Sequence, residues 1–126
     1  MSKETNNDLI QRWLLDPAVT VDWIDHQDGV WCISSEFPTS TLIGLYQTPG
    51  ALPSRRDQIL YAIAVHLQML LDPNESRDEV MECERELTIE FARSNWWEIL
   101  RIDREIGFSC DFDTYVLPFM ASVGTK

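Results

Sequence analysis

The chain has 126 residues, of which 44% are hydrophobic, and a formal net charge of −11. It is long enough to bury a core without disulfide staples and too apolar for disorder, which predicts a single globular domain over residues 1–126. The acid is spread along the chain rather than gathered in a tail, which argues against direct binding of nucleic acid or an anionic membrane and favours a basic partner.

Cys32, Cys83 and Cys110 are odd in number and far apart, with no C-x-x-C among them. That usage fits a reducing, cytoplasmic setting. The N-terminus MSKETNNDL lacks the basic-then-apolar layout of a signal peptide.

In chain order, Asn6 or Asn7 can cap a short amphipathic helix, Asp8 to Leu15, which stops at Asp16-Pro17. In Ala18–Asp25, the residues Val19, Val21 and Trp23 alternate with polar ones, the period of a half-buried strand. His26-Gln27-Asp28-Gly29 reads as a turn with Gly29 at positive φ. Val30–Ser35 is the returning strand, and Thr41–Gln47 a third, with Gly44 as a bulge. Together they predict a three-stranded antiparallel meander.

The stretch SRRDQILYAIAVHLQMLLD, Ser54 to Asp72, reads as a central buried helix. Ser54 and Asp57 suggest a capping box, and Pro73 ends the helix. Ile59, Ile63, His66, Leu67 and Leu70 share one face, which Leu60, Ala62, Met69 and Leu71 widen. Only Asp57, Tyr61, Ala64 and Gln68 form a narrow opposite strip. The apolar run spans about 20 Å, short of the ~30 Å that a bilayer core demands.

A second capping box at Ser76–Glu79 opens a helix from Arg77 to about Ser94, with Val80, Cys83, Leu87 and Phe91 as its core stripe. Asn95–Glu98 opens a third helix, Trp96 to Ile106, which ends with Gly107 at C′. The tail FSCDFDTYVLPFM reads as a docked extended segment or strand. The predicted class is therefore α+β: a short N-terminal helix, the meander, the central helix, two C-terminal helices and the extended tail.

Glu75, Glu79, Glu82, Glu86 and Glu90 recur at spacings that place the last four on one helical face, with Glu75 near its start. Charges about 5–6 Å apart along an axis resemble the repeat of a phosphate backbone, and a solvated helix face is the simpler reading. Trp96 and Trp97 point about 100° apart, so one can fill the core while the other reaches a partner. His26 lies among Asp22, Asp25 and Asp28, where a metal or general-base role competes with a solvated turn. His66 reads as a satisfied core residue. Cys110 beside Asp111 and Asp113 is a poor nucleophile, because neighbouring acids oppose the thiolate. Asp103, on an otherwise apolar face, either emerges into solvent or pairs with Arg12, Arg55 or Arg56. No phosphate loop, H-E-x-x-H, G-x-S-x-G or zinc-ligand pattern is present, so no catalytic, cofactor or metal residue is assigned.

The segments Asp8–Leu15, Val19–Ile24, Val30–Ser34, Thr41–Gln47 and Ser54–Leu71 give an order of helix, strand, turn, strand, strand, helix. That order, with the size and acidity, is loosely similar to the small acidic chaperones of type III secretion over about half the chain. The two helices after Pro73 depart from that family's pattern. Three functions follow. The first is a non-enzymatic acidic inhibitor or interaction protein that binds a basic surface of a protein as a nucleic-acid mimic would, as phage or plasmid anti-defence and immunity proteins do. The second, implied by the resemblance, is a dimeric binding chaperone or assembly subunit. The third is a small enzyme with a site near His26 or Cys110.

Overall fold

In the computed structural model the described residues are 5–75 and 79–124, and among them regular structure is entirely helical. The helices are α1 (Asn6–Leu15), α2 (Gly29–Glu36), α3 (Thr39–Tyr46), α4 (Pro53–Leu71), α5 (Glu79–Cys83), α6 (Arg85–Ser94), α7 (Trp96–Glu105) and α8 (Cys110–Val123). The α+β expectation is thereby corrected to an all-α fold, and the three-stranded meander is absent.

Each predicted strand fails for the same physical reason. A run of six to eight apolar residues cannot separate period 2 from period 3.6, and its β-branched content tips the reading toward strand. What is buried decides the matter. In the first run Val21 and Ile24 are buried, three residues apart. A single turn joins them, with the N–H groups of Ile24 and Asp25 donating to the Val21 carbonyl. α2 turns Ile33 inward, with Phe37 buried at its C-cap, and α3 turns Leu42, Leu45 and Tyr46 inward. Gly44 is an exposed mid-helix residue, not a bulge. Without the meander, the element order shared with the secretion chaperones is lost too.

Gly29 is not at positive φ. It is needed for close approach: a Cβ there would sit 1.8 Å from the Ile24 carbonyl oxygen. The start of α2 thus rests directly on the preceding turn.

The central helix is borne out. α4 runs from Pro53 to Leu71 and packs against every other helix. Its N-terminus is built differently from the predicted capping box. Leu52 is the N-cap, no side chain caps it, and Pro53 occupies the first turn, where its missing N–H costs nothing. Arg55 and Arg56 reach out instead to close other helices. Arg55 donates to the carbonyls of Trp13, Asp16 and Pro17 at the end of α1, and its guanidinium lies 5.0 Å from the Trp13 ring centre. Arg56 donates to the Tyr46 carbonyl at the end of α3 and lies 3.9 Å from the centre of the Tyr46 ring. Both place a cation at a helix C-terminus, where the free carbonyls and the macrodipole favour it.

The narrow polar strip of α4 does not face water. It is the seat of the C-terminal helices. Asp57 accepts two hydrogen bonds from the Arg101 guanidinium, at 2.8 and 3.3 Å. The Tyr61 hydroxyl donates to the Gly107 carbonyl, and the Ser109 hydroxyl donates to Gln68 Oε1. Ala64 between them is buried. The polar residues thus satisfy the α7–α8 turn that covers them.

Further corrections concern caps and ends. Thr5, not Asn6 or Asn7, caps α1, in a full capping box with Asp8. The box predicted at Ser76 lies outside the described residues. Asn95 makes no side-chain cap; its amide donates to the Phe91 carbonyl. Asp103 pairs with none of Arg12, Arg55 or Arg56, and accepts from the Phe108 N–H just beyond α7. Gly107 follows the α7 C-cap at φ +94, as predicted for C′. The tail is helix α8 rather than an extended segment. Phe112, Val116 and Met120 recur every four residues and are buried against the body, while Pro118 sits inside the helix on its exposed side. Among the described residues, no helix is long and apolar enough to cross a membrane.

Candidate functional site

The helix predicted over Arg77–Ser94 is two helices among its described residues. The chain turns at Glu84, whose backbone leaves helical geometry at φ −100, ψ 13. Its carbonyl accepts from the N–H and hydroxyl of Thr88, and its carboxylate accepts from the Ser40 N–H at 3.4 Å. The break resets the phase of the apolar pattern. α6 buries Thr88, Phe91 and Ala92, and α5 buries nothing. Of the predicted core stripe only Phe91 is inside: Cys83 is exposed, Val80 is 58% exposed and Leu87 45%.

The same break sets the glutamates. Glu75 is exposed in the bend after α4, Glu79 and Glu82 stand on α5, and Glu86 and Glu90 on α6. The row is therefore carried by two helices and a bend rather than by one straight axis. Glu82 pairs with Arg85 at 3.8 Å and Glu90 with Arg93 at 3.1 Å, both i,i+3 contacts at the surface. Pairs of this kind contribute little to stability and leave the face acidic. Leu87 stands three residues before Glu90 and shares its face. The outcome is a surface that mixes carboxylates with exposed aliphatic side chains.

The adjacent tryptophans divide as expected. Trp96 is buried and stacked on Phe112, with ring centres 6.2 Å apart, and Trp97 is 66% exposed. Trp97 belongs to α7, past the break at Asn95, so it and the glutamates occupy different helices. Sequence reasoning missed Trp31, on α2, which is 48% exposed. Trp31 borders a groove of about 590 Å³ between the α2–α3 junction, the second half of α4 and α5. Phe37, Met69, Val80 and Met81 contribute its apolar wall, and Glu36 and Glu75 also line it. The signal was present as Val30, Ile33 and Phe37 at helical spacing, which turns Trp31 away from the buried side.

His66 sits in the wall of this groove and is buried. Its Nε2 is 2.6 Å from the Ser34 carbonyl, so it carries the proton and donates; Nδ1, 2.7 Å from Thr39 Oγ1, accepts from the hydroxyl. The ring pins the end of α2 and the start of α3 to α4.

His26 lies on the exposed turn before α2. Its Nδ1 accepts from the Asp28 N–H at 3.0 Å, and its Nε2 is 3.7 Å from Cys32 Sγ. With Nδ1 accepting, the neutral ring carries its proton on Nε2 and donates toward sulfur, so it cannot take the thiol proton in this geometry. Asp25 is committed to Trp13 Nε1 and the Val21 N–H. Cys110, exposed at the start of α8, lies far along the chain from this pair. Among the described residues, no three His, Cys, Asp or Glu side chains are grouped to hold a metal ion.

Arg101 gathers Asp57, Glu98 and Glu105 within 3.0 Å. The hydrogen bonds it donates to Asp57 and then Glu98 hold its pKa above the ordinary guanidinium range. This cluster fastens α7 to α4. Comparison with protein-family models, curated proteins and solved structures returns no match.

Proposed function

We propose that this protein is a non-enzymatic acidic interaction protein that acts in the cytoplasm by binding a basic surface of another protein. The observation that supports it best is the exposure of Val80 and Leu87 among Glu79, Glu86 and Glu90 on α5 and α6. Exposed charge alone serves solubility. Single exposed aliphatic groups are ordinary at a protein surface, but set among carboxylates they offer a partner apolar surface to cover beside charge to meet. Carboxylates speed encounter with a cationic surface, and the aliphatic groups hold the complex once water is expelled.

The partner is one whose cationic cleft serves another anionic ligand, and nucleic acid is the natural case. An anti-defence or immunity role fits a chain of this size and charge. The enzyme alternative is weakened by the His26 geometry, in which the ring already donates toward Cys32.

The test is affinity capture with the tagged chain from a host lysate, with mass spectrometry of what low salt retains and high salt releases. Recovery of a nucleic-acid-handling protein with a basic cleft supports the reading. Recovery that is indifferent to salt contradicts it, because exposed charge pairs are screened.

A further inference from the structure

We propose that the groove beside Trp31 receives the apolar anchors of a cationic helical segment of the partner, an inference that rests on the acidic-interaction reading above. Its volume of about 590 Å³ falls within the ~300–1,000 Å³ usual for ligand pockets and has room for more than one side chain. An amphipathic helix laying i, i+3 and i+4 anchors into such a groove is an established recognition mode.

Three observations define the occupant's chemistry. First, the polar side chains of the wall are already engaged. Both His66 nitrogens are bonded to Thr39 and Ser34, Gln68 Oε1 accepts from Ser109, and the Ser34 hydroxyl donates to the Trp31 carbonyl. A polar occupant would find few free partners among these groups, whereas an apolar one displaces none of their hydrogen bonds. Second, Met69 of α4 and Met81 of α5 both line the groove, and flexible thioethers adapt to varied apolar shapes. Third, among the described residues the charged side chains in the lining are Glu36 and Glu75. Anchors arriving with flanking lysines or arginines meet complementary charge, and an acidic segment is repelled. Trp31, half-exposed at the edge, offers the flat aromatic surface common at interface hot spots.

The experiment uses the full chain labelled at its methionine methyl groups and backbone amides. The probes are a lysine-rich amphipathic peptide with leucines at i, i+3, i+4 and i+7, a twin with those leucines replaced by alanine, and a twin with glutamates for lysines. Met120, 1% exposed on the buried face of α8, is the internal reference. The leucine peptide is expected to shift the methyl signals of Met69 and Met81, leave Met120 still, and bind at least tenfold more tightly than its alanine twin. The acidic twin is expected not to bind. Glu36→Lys with Glu75→Lys, both exposed positions, is expected to weaken the leucine peptide at least tenfold. If both cationic peptides shift the Glu86 and Glu90 amides while Met69 and Met81 stay still, the groove is overturned and the acidic-interaction reading stands. If no cationic peptide shifts any of these signals, both fall. Movement of Met120 with the others marks a global rearrangement and overturns the groove as a preformed site.

Discussion

Replacing Gly29 by alanine tests how this fold is built. The added Cβ would lie 1.8 Å from the Ile24 carbonyl oxygen and 2.8 Å from its carbon, where ordinary contact begins at 3.4 Å. The obstacle is backbone, so no rotamer change relieves it; the start of α2 and the turn at Ile24 must part by roughly 1.6 Å. That shift disturbs Ile24 and Ile33, both fully buried. Overpacking of this kind costs about 3 kcal/mol, or a fall in Tm of roughly 10 °C. Gly29→Asn discriminates further. A glycine at positive φ in a hairpin turn tolerates asparagine well, whereas a glycine at a close approach rejects it as firmly as alanine. Gly44→Ala is the opposite control: nothing lies within 4 Å of its added Cβ, and mid-helix alanine is favoured by about 0.5–1 kcal/mol. Urea unfolding of the three variants reads all of this. Gly29→Ala within 0.5 kcal/mol of the parent, or asparagine much better than alanine, would refute the packing argument.

Other outcomes follow from the same contacts. Arg55→Met is expected to cost about 1–2 kcal/mol in urea unfolding, because the end of α1 loses its cation and carbonyl donors, and Arg55→Lys should recover only part of it. Val80→Ser with Leu87→Ser should change stability by less than about 1 kcal/mol, whereas Phe91→Ala, seven-hundredths exposed at most, should cost about 3–5 kcal/mol. Burial pushes the Tyr46 and Tyr61 hydroxyls above their ordinary value of 10.0. A raised folded pKa means stability that is whole below pH 10.0 and lost as pH rises through the folded value. Tyrosinate absorbance should therefore grow together with loss of helical circular dichroism above that pH. Tyrosines that ionise fully before any unfolding would contradict the burial argument.

What the sequence made legible was the scaffold's axis. The long apolar run of α4 exceeds any strand, and Pro73 and Gly107 mark helix ends through simple backbone sterics. The N-terminal half misled because α2 and α3 are too short for periodicity to outweigh Val, Ile and Trp content, and burial on α4 settled them as helices. The acidic helix misled through its apolar stripe. A stripe of Val80, Cys83, Leu87 and Phe91 looks continuous until Glu84 turns the chain, and only contacts with Ser40 and Thr88 explain why it turns there. The dense apolar content of residues 108–119 similarly hid α8, although Phe112, Val116 and Met120 already carried helical spacing. In the candidate site Glu75, Glu79, Glu86, Glu90 and Trp97 were legible as exposed groups, whereas Glu82 is half-buried. The Trp31 groove was not, because it joins α2, α4 and α5 across the fold.

The most direct test of the acidic-interaction account is a charge-matched comparison. Glu79→Lys, Glu86→Lys and Glu90→Lys are combined in one variant, and Asp22→Lys, Asp111→Lys and Asp113→Lys in another, all at exposed positions. Both undergo the same change in net charge. The Kd for a captured basic partner is measured for each by calorimetry. The account predicts that the α5–α6 reversal weakens binding at least a hundredfold and the control less than tenfold. Equal losses would reduce the interaction to bulk charge, and no loss in the first variant would contradict the assignment of that face.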